Sequence, residues 1–427
     1  MVSRRLAGTA ALWYNLGSNL YGGSMDSFSF VSIVHPAGGA DPAPVFGPGE
    51  TGEVLAFHKS FPEYAPTPLH RLNALAGKLG VGGIFVKDES FRFGLNAFKA
   101  LGGSYAIGKW ISEKLGIPLF ELPYERMVSE EIRSRIGDVT FITATDGNHG
   151  RGVAWTANRL KCGCVVFMPK GTAAERLYNI RALGAEAEIL DCNYDECVRR
   201  ANALAQQNGW TLVQDTAWDG YEDIPRNIMR GYSTMGAETA EQLAGEIPTH
   251  IFLQAGVGAM AGAMAGYFAS LYGANRPKII VVEPNRANCI FRTAQANDGT
   301  RHFVTDDMNT IMAGLACGEP CTLAWEVLSR HADVCASIPE YAAADGMRVL
   351  AAPEGNDPRI VSGESGASGF GCACAILTDP ALSGVKKELG IDKTSRILCI
   401  STEGATDREN YDNIVLRGAY SRGTERA

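Results

Sequence analysis

The chain has 427 residues, with 39 Lys and Arg against 47 Asp and Glu, which gives a formal net charge of −8. This length allows two lobes with a large combined core. Because the chain carries no basic block, nucleic acid and anionic membranes are unfavourable partners. No apolar run approaches the ~18 residues that a membrane-spanning helix needs.

The N-terminus and the cysteines bear on the compartment. The residues Met1 to Ala7 are basic, like the start of a signal or transit peptide, but Tyr14, Asn15 and Gly17 interrupt the apolar region that such a peptide needs. The 11 Cys are an odd number and lie scattered in apolar runs, which is typical of reduced, structural thiols. Neither close pair (162/164 and 372/374) has a His-containing partner motif, so we expect no structural zinc. These features predict a cytoplasmic protein.

Residues 1 to about 60 are rich in Gly and Pro, and they predict an irregular arm over one lobe. A short helix through Leu79 follows, and then a strand at 83–89. Apolar residues at helical spacing begin at Tyr105, so Lys99 is expected at or just before a helix N-terminus. The helix dipole disfavours a lysine there, which indicates a role other than helix stability. A desolvated lysine is the nucleophile of Schiff-base chemistry, whereas the simpler interpretation is a solvated surface lysine.

From residue 139 onward, short apolar strands alternate with amphipathic helices. We expect strands at 139–144, 164–168, 186–190, 211–214, 250–254, 278–282 and 396–400. We expect helices at 152–160, 175–181, 194–208, about 225–244 and 260–272. The Pro- and Asp-rich stretch before the last strand receives no element. This alternation predicts an α/β protein whose parallel sheets are covered by helices on both faces.

Ligands of such sheets bind beyond the carboxyl ends of the strands, and four strand ends carry unusual residues. At 144–150, Gly147 and Gly150 permit a tight turn close to a ligand, and Asn148 supplies hydrogen-bonding groups, although a helix cap and a turn would use the same residues. At 214–221, Asp215 stands beside aromatic residues, or is an ordinary helix cap.

A third strand end, residues 254–262, is a glycine-rich turn between a strand and a helix. Its N–H groups and the helix dipole favour a phosphate. The same stretch fits the G-x-G-x-x-A dinucleotide fingerprint, with Glu283 ending the next strand. The fourth end, 400–407, offers hydroxyl groups, with no carboxylate expected immediately there. These hydroxyls could face a ring nitrogen or cap a helix.

Taken together and in this order, these motifs resemble fold type II pyridoxal-phosphate enzymes, the family of the tryptophan synthase β subunit, threonine synthase and the serine/threonine dehydratases. Within that family they resemble most closely the diaminopropionate ammonia-lyases. The match runs from about Tyr64 to Tyr411. Asp146 departs from the dehydratases, which usually carry a small residue there. The motifs that carry the resemblance are Asn96-Ala97-Phe98-Lys99-Ala100-Leu101-Gly102-Gly103, Thr145-Asp146-Gly147-Asn148-His149-Gly150, Gln214-Asp215-Thr216-Ala217-Trp218, Val361-Ser362-Gly363-Glu364-Ser365-Gly366-Ala367 and Ser401-Thr402-Glu403-Gly404.

The resemblance implies two lobes, a large cofactor-binding domain of residues 1–103 and 220–427 and a small domain of residues 104–219. It implies that Lys99, beside Phe98, forms a Schiff base with pyridoxal 5'-phosphate, and that Asn148 binds the ring hydroxyl. Ser401 or Thr402 faces the pyridine nitrogen, and the spacing does not decide which. The phosphate is expected on the backbone of Gly256, Val257, Gly258, Ala259, Met260 and Ala261.

The implied reaction is the β-elimination of D- and L-2,3-diaminopropionate to pyruvate and two ammonia. Lys99 is expected to be the base for the L-enantiomer and Asp146 the base for the D-enantiomer. Asp215 is expected to bind the second amino group of the substrate or to assist proton transfer. The family also implies a small amino-acid substrate and a homodimer.

Three other functions compete with this one. A D-serine or serine/threonine dehydratase on the same fold would differ only in the leaving group, and the carboxylates of Asp146 and Asp215 favour an amino group over a hydroxyl. A nicotinamide-dependent oxidoreductase would use the turn at 256 together with Glu283, and it would give Lys99 no role. A non-catalytic binding protein would leave the residues at four strand ends without a common purpose.

Overall fold

The computed structural model describes residues 13–15 (backbone only), 26–35, 46–145 and 147–423. The expectations for Asp146 and for the basic residues 1–7 therefore lie outside the described residues. Within these ranges, no helix is both long enough and apolar enough to cross a membrane.

The larger sheet contains the strands β1 Trp13–Asn15, β2 Ser29–Ser32, β3 Leu69–Arg71, β4 Gly83–Asp88, β9 His250–Gln254, β10 Lys278–Pro284, β11 Val334–Ile338 and β12 Arg396–Ser401. Their order across the sheet is β1-β2-β11-β10-β9-β12-β4-β3. The central strands, from β11 to β4, run parallel, whereas β1, β2 and β3 pair antiparallel at the two edges. Because the central strands are parallel, their carboxyl ends lie along one edge of the sheet.

The smaller sheet contains β5 Thr140–Ala144, β6 Gly163–Met168, β7 Glu186–Ile189 and β8 Thr211–Leu212. It is wholly parallel, in the order β7-β6-β5-β8. The two sheets confirm the α/β class with mostly parallel strands that the sequence predicts. The limits of the two lobes at residues 103/104 and 219/220 stay a prediction.

Helices cover the sheets. Two of them, the helices that contain Gly152 and Gly231, pack on the helix that follows Lys99. Gly231 lies so close to this helix that a Cβ atom there would stand 2.4 Å from the carbonyl oxygen of Leu101, and one on Gly152 would stand 2.8 Å from the nitrogen of Ala100. The helices are α1 Pro48–Lys59, α2 Asn73–Leu79, α3 Ala100–Leu115, α4 Tyr124–Met127, α5 Glu130–Ile136, α6 Asn148–Arg159, α7 Ala174–Arg181, α8 Tyr194–Asn208, α9 Asp223–Leu243, α10 Ala259–Tyr272, α11 Cys289–Ala296, α12 Thr322–His331, α13 Glu340–Ala351, α14 Glu364–Thr378, α15 Ser383–Leu389 and α16 Arg408–Val415.

Two sequence expectations about the fold are wrong. The N-terminal stretch is not simply an irregular arm, because β1 and β2 extend the large sheet and α1 packs on α9. The stretch between β10 and β12, for which the sequence predicted no element, contains β11 and five helices, α11 to α15. Small residues such as Cys335, Ala336 and Ser337 make β11 weak in strand propensity, and its pairing with β10 decides its conformation.

Candidate active site

A cavity of about 900 Å³ opens where the carboxyl ends of strands from both sheets meet. Residues that the sequence singled out at four separate strand ends line this one cavity. Ala261 and Ser401 are not among the described residues that line it. The predicted site residues that do line it are Phe98, Lys99, Asn148, Asp215, Gly256, Val257, Gly258, Ala259, Met260 and Thr402.

Lys99 stands immediately before α3, as the sequence predicts. The segment that carries it is bonded to the end of β12, because the N–H of Phe98 donates to the carbonyl of Thr402 at 3.1 Å and the N–H of Gly404 donates to the carbonyl of Asn96 at 3.0 Å. Gly404 has to be a glycine, since a Cβ atom there would lie 2.1 Å from Oδ1 of Asn96. These backbone contacts fix Lys99 beside Thr402.

Lys99 pairs with Asp215, which enters the cavity from the smaller sheet. Asp215 is buried and also accepts a hydrogen bond from the hydroxyl of Tyr194, while Nδ1 of His149 lies 3.8 Å from its Oδ2. Burial alone would raise the pKa of Asp215, but the charges of His149 and Lys99 lower that pKa well below its ordinary value. The helix-cap interpretation of Asp215 is therefore wrong, because its carboxylate binds the lysine, and α9 begins only at Asp223.

Gln214 and Tyr194 hold Asp215 in place. The Gln214 side chain accepts from the N–H of Ala144 and donates to the carbonyl of Ala144, both at 3.0 Å, and it donates to the Tyr194 hydroxyl at 2.7 Å. Tyr194 therefore joins the ends of β5 and β8 to the start of α8. No local motif marks Tyr194, so its place in the site is not apparent from the sequence.

The sequence left open whether the residues after β5 cap a helix or face a ligand site. In the structure, Thr145 caps the helix and Asn148 faces the cavity. The Thr145 hydroxyl accepts from the N–H groups of Gly147 and Gly150 and so caps the first turn of α6. The Asn148 side chain instead lines the cavity and donates to Oε2 of Glu403 at 2.5 Å. The turn thus serves both helix capping and the cavity.

The glycine-rich turn ends at Gly258, which precedes α10 with a φ of +94°. A Cβ atom on Gly258 would lie 2.8 Å from Cδ1 of Ile290, so the residue is restricted by both conformation and space. The N–H groups of Ala259, Met260 and Ala261 belong to the first turn, where a helix offers them no internal acceptor. Together with the helix dipole, the N–H groups of Ala259 and Met260, which line the cavity, favour an anion there; we call this turn the anion cradle.

Glu283 does not contribute to a nucleotide site. Its buried carboxylate accepts from the N–H groups of Ile290 at 2.9 Å and Phe291 at 2.6 Å, and so it caps α11. Burial raises the pKa of Glu283 to about 8. Glu283 is absent from the described lining of the cavity, which removes the ribose-binding role that an oxidoreductase would need.

Thr402 and Ser401 face different ways at the end of β12. The Thr402 hydroxyl accepts from Nε2 of Gln254 at 2.9 Å and lines the cavity, whereas the Ser401 hydroxyl donates to Oγ of Ser362 at 2.8 Å. The expectation that no carboxylate stands here is wrong. Glu403 is buried and lines the cavity, where it accepts from the N–H of Ser365 at 3.2 Å.

A second carboxylate, Glu364, lies in the same wall, and in the sequence it is only one residue of the 361–367 motif. It is buried, it begins α14, and it accepts from Nδ2 of Asn410 at 2.5 Å. Burial, with the neighbouring charge of Glu403, raises the pKa of Glu364 to about 7. The cavity therefore holds the carboxylate of Asp215, which is paired with Lys99. It also holds the carboxyl group of Glu364, whose raised pKa is near neutral.

This arrangement fits pyridoxal phosphate. Lys99 would offer an amine to the aldehyde of this cofactor, the start of α10 would offer N–H groups to its phosphate, and Thr402 would offer a hydroxyl to its ring nitrogen. Gly256 lies close to Leu315, because a Cβ atom on Gly256 would be 3.2 Å from Cα of Leu315. The turn therefore presents backbone and no side chain at this position of the cradle.

The fold and this site define a class of enzyme. The chain belongs to the pyridoxal-phosphate dependent enzymes, whose family model matches residues 61–385. Pyridoxal 5'-phosphate is accordingly the cofactor.

Within that family, the chain is similar to diaminopropionate ammonia-lyases. It is 50% identical to the one from Salmonella typhimurium (strain LT2) over 370 residues, which are 86% of this chain and 92% of that protein. It is 48% identical to the one from Escherichia coli (strain K12) over 382 residues, 89% of this chain and 94% of that protein. The crystal structure of the holo Escherichia coli diaminopropionate ammonia lyase is similar with a TM-score of 0.87 at 45% identity, covering 93% of this chain and 99% of that one. A crystal structure of the Escherichia coli enzyme in complex with D-serine gives the same values.

Proposed function

We propose that this protein catalyses the β-elimination of ammonia from D- and L-2,3-diaminopropionate, with pyruvate and a second ammonia as the final products. The observation that carries the proposal is the ion pair between Lys99 and the buried Asp215, in the cavity of a chain that belongs to the pyridoxal-phosphate family. The similarity to diaminopropionate ammonia-lyases over nearly the whole chain supports this choice of substrate.

Lys99 performs two tasks in this proposal. Its amine would hold the cofactor, and the free amine would take the proton from the α-carbon of the L-enantiomer. When bound, the cofactor supplies an electron sink for the charge that this proton transfer leaves on the α-carbon. The side chain of Lys99 is 17% exposed, so its amine is largely withdrawn from water where it works.

Asp215 keeps the amine of Lys99 in place and supplies negative charge beside the substrate. A carboxylate holds an ammonium group better than a neutral hydroxyl, because the hydrogen bond is charge-assisted. The depressed pKa of Asp215 keeps this group ionised across the working pH range. We assign Asp215 to binding the second amino group of the substrate or to assisting proton transfer there.

Asp146 lies outside the described residues, and its role rests on the sequence. It follows Thr145 in the motif that faces the cavity, and it is a carboxylate where dehydratases usually carry a small residue. We assign to Asp146 the removal of the proton from the α-carbon of the D-enantiomer. Two bases for the two enantiomers account for a substrate range that a single lysine would not cover.

A dehydratase of serine or threonine is the second candidate, because it needs the same lysine and the same cofactor. The Escherichia coli relative crystallises in complex with D-serine, which is a hydroxyl amino acid. The leaving group separates the two functions. Turnover of D-serine that exceeds turnover of diaminopropionate would favour the dehydratase.

The function is tested by the visible absorbance and the products of the purified holoenzyme. Wild type is expected to be yellow, and to change its spectrum transiently while pyruvate and ammonia appear after D- or L-diaminopropionate is added. Lys99→Ala is expected to lose both the yellow band and turnover, because no other group would replace the amine. A protein that stays colourless with added pyridoxal phosphate, or that releases no pyruvate, would contradict the proposal.

We also propose a cytoplasmic homodimer. The oligomer is supported by the family resemblance, and the compartment by the cysteines, all 11 of which are free thiols. Sedimentation at low micromolar concentration tests the dimer, which a monomer mass would contradict. Fractionation of the source cells tests the compartment.

A further inference from the structure

Two thiols touch at the start of α8, on the wall of the small sheet. Sγ of Cys192 lies 3.4 Å from Sγ of Cys197. The contact follows from the way this helix begins, because the side chain of Asn193 caps it by accepting from the N–H of Glu196. Cys192 then precedes the cap and Cys197 is the fourth residue of the helix, which are the two positions that meet in a hydrophobic staple.

The segment between the two cysteines contacts the active site in two ways. Tyr194 is the first residue of α8, and its hydroxyl bonds both Asp215 and Gln214. The carbonyl of Cys192 accepts from the N–H of Lys170 at 2.9 Å, and Lys170 lines the cavity. A change in the geometry of the two cysteines would therefore move Tyr194 and, through its hydroxyl, Asp215, which is the partner of Lys99.

We infer that Cys192 and Cys197 are a modification site, where a peroxide closes a reversible disulfide that lowers the activity of the enzyme. An S–S bond is about 2.05 Å long, so closing it draws the two sulfur atoms together by about 1.3 Å. That movement bends the segment that carries Tyr194. A displacement of this size at a catalytic group costs activity by up to about 10²-fold.

The chemistry of the two thiols suits this sequence of steps. Cys192 is partly exposed, so its sulfur is accessible to attack a peroxide. Hydrogen peroxide oxidises Cys192 to a sulfenic acid and is reduced to water. The buried thiol of Cys197 then displaces a second water to form the disulfide, and a dithiol reductant restores both thiols. Burial and the hydrogen bond with Cys192 raise the pKa of Cys197 to about 12, so it enters this step as a thiol.

The experiment treats the holoenzyme with hydrogen peroxide, blocks the remaining thiols by alkylation and maps the tryptic peptides. Both cysteines fall in the single peptide 182–199, which contains no other cysteine. We expect this peptide to lose two hydrogen atoms and to resist alkylation, while kcat falls by about tenfold or more. Dithiothreitol should restore both the peptide mass and kcat.

Cys192→Ser is the decisive variant, and Cys162→Ser is its matched control, since Cys162 is also a partly exposed thiol of the same sheet region. Without peroxide, both variants should have wild-type activity. With peroxide, Cys192→Ser should keep its activity, and Cys162→Ser should be inhibited like wild type. The inference is overturned if both thiols of peptide 182–199 remain alkylatable in inhibited enzyme, or if the disulfide forms without loss of activity. The peptide mass does not depend on the substrate, so it also separates this result from a failure of the proposed function.

Discussion

The amine of Lys99 donates a hydrogen bond to Oδ2 of Asp215, and this ion pair joins the segment after β4 to the segment after β8. The two residues are 116 positions apart in the chain and follow strands of different sheets. Removing one partner of such a pair leaves an uncompensated charge in a site from which water is largely excluded. The charge balance around the lysine amine therefore depends on this contact.

Asp215→Asn is expected to lower kcat for both enantiomers of diaminopropionate by about 10²–10⁴-fold, the usual effect of removing a group that assists proton transfer. The amide keeps the shape of the side chain but loses the charge that binds the Lys99 amine. Steady-state kinetics measure the effect. The exposed Asp219 provides the control, and Asp219→Asn should behave like wild type. A change in KM alone for Asp215→Asn would show that the residue only binds substrate.

Asp146→Asn is expected to lower turnover of D-diaminopropionate by about 10²–10⁴-fold and to leave turnover of the L-enantiomer nearly unchanged. Under the proposed assignment, Asp146 removes the α-proton of the D-enantiomer and Lys99 removes that of the L-enantiomer. Separate kinetic assays with each pure enantiomer test this selectivity. Equal losses for both enantiomers would disprove the two-base hypothesis.

Thr402→Val is expected to shift the visible spectrum of the cofactor and to lower kcat, because it removes the hydroxyl that lines the cavity while keeping the size of the side chain. Ser401→Ala is the matched comparison. The Ser401 hydroxyl bonds Ser362, so its loss should cost about 1 kcal/mol of unfolding free energy and leave the spectrum unchanged. Absorbance spectra and urea titrations distinguish the two. A spectral shift in Ser401→Ala alone would reverse the assignment.

Gly258→Ala is expected to weaken cofactor binding, because the new methyl group would meet Ile290 and displace the turn that opens α10. Gly245→Ala is the control. Gly245 also has a positive φ, of +91°, but a Cβ atom there would meet nothing within 4 Å. Both variants should therefore share the conformational cost of about 1–2 kcal/mol, and only Gly258→Ala should raise the Kd for pyridoxal phosphate. Equal values of Kd for the two variants would contradict the phosphate cradle at this turn.

Glu238 should govern part of the acid stability. Its buried carboxylate accepts from Arg92 at 2.8 Å and from Lys87 at 2.7 Å. Burial alone would raise the pKa of Glu238, but the hydrogen bonds and charges of Arg92 and Lys87 lower it from 4.5 to about 2. A depressed pKa stabilises the fold fully above 4.5, and this contribution is lost as the pH falls toward 2.

The measurement is the unfolding free energy of wild type and Glu238→Gln in urea at several acidic pH values. Near neutral pH, the variant should be less stable by about 3–5 kcal/mol, because buried Lys87 loses its ion pair with Glu238 while Arg92 keeps its pair with Glu89. The difference should shrink as the pH falls through the window from 4.5 to about 2. Glu241→Gln, at an exposed position of the same helix, should show no such dependence. A pH-independent difference for Glu238→Gln would mean that its charge does not set this stability.

The sequence by itself determined the features that depend on neighbours in the chain. The position of Lys99 before α3 follows from apolar residues at helical spacing, and the glycine turn before α10 follows from the steric freedom of glycine. The alternation of short strands and helices was enough to predict parallel sheets, because a parallel pair needs a helical crossover. The family resemblance rests on these local motifs.

Only the tertiary structure decided which of these residues meet. Ser401 and Thr402 are adjacent, and the pleat of β12 sends one hydroxyl to Ser362 and the other into the cavity. Tyr194 lies in the site because α8 begins beside the end of β8. Glu403 lies there because it accepts a hydrogen bond from an N–H group at the start of α14. Such contacts join residues far apart in the chain. They form only when burial of both sheets offsets the entropy of closing the loops between them, and no local pattern records that balance.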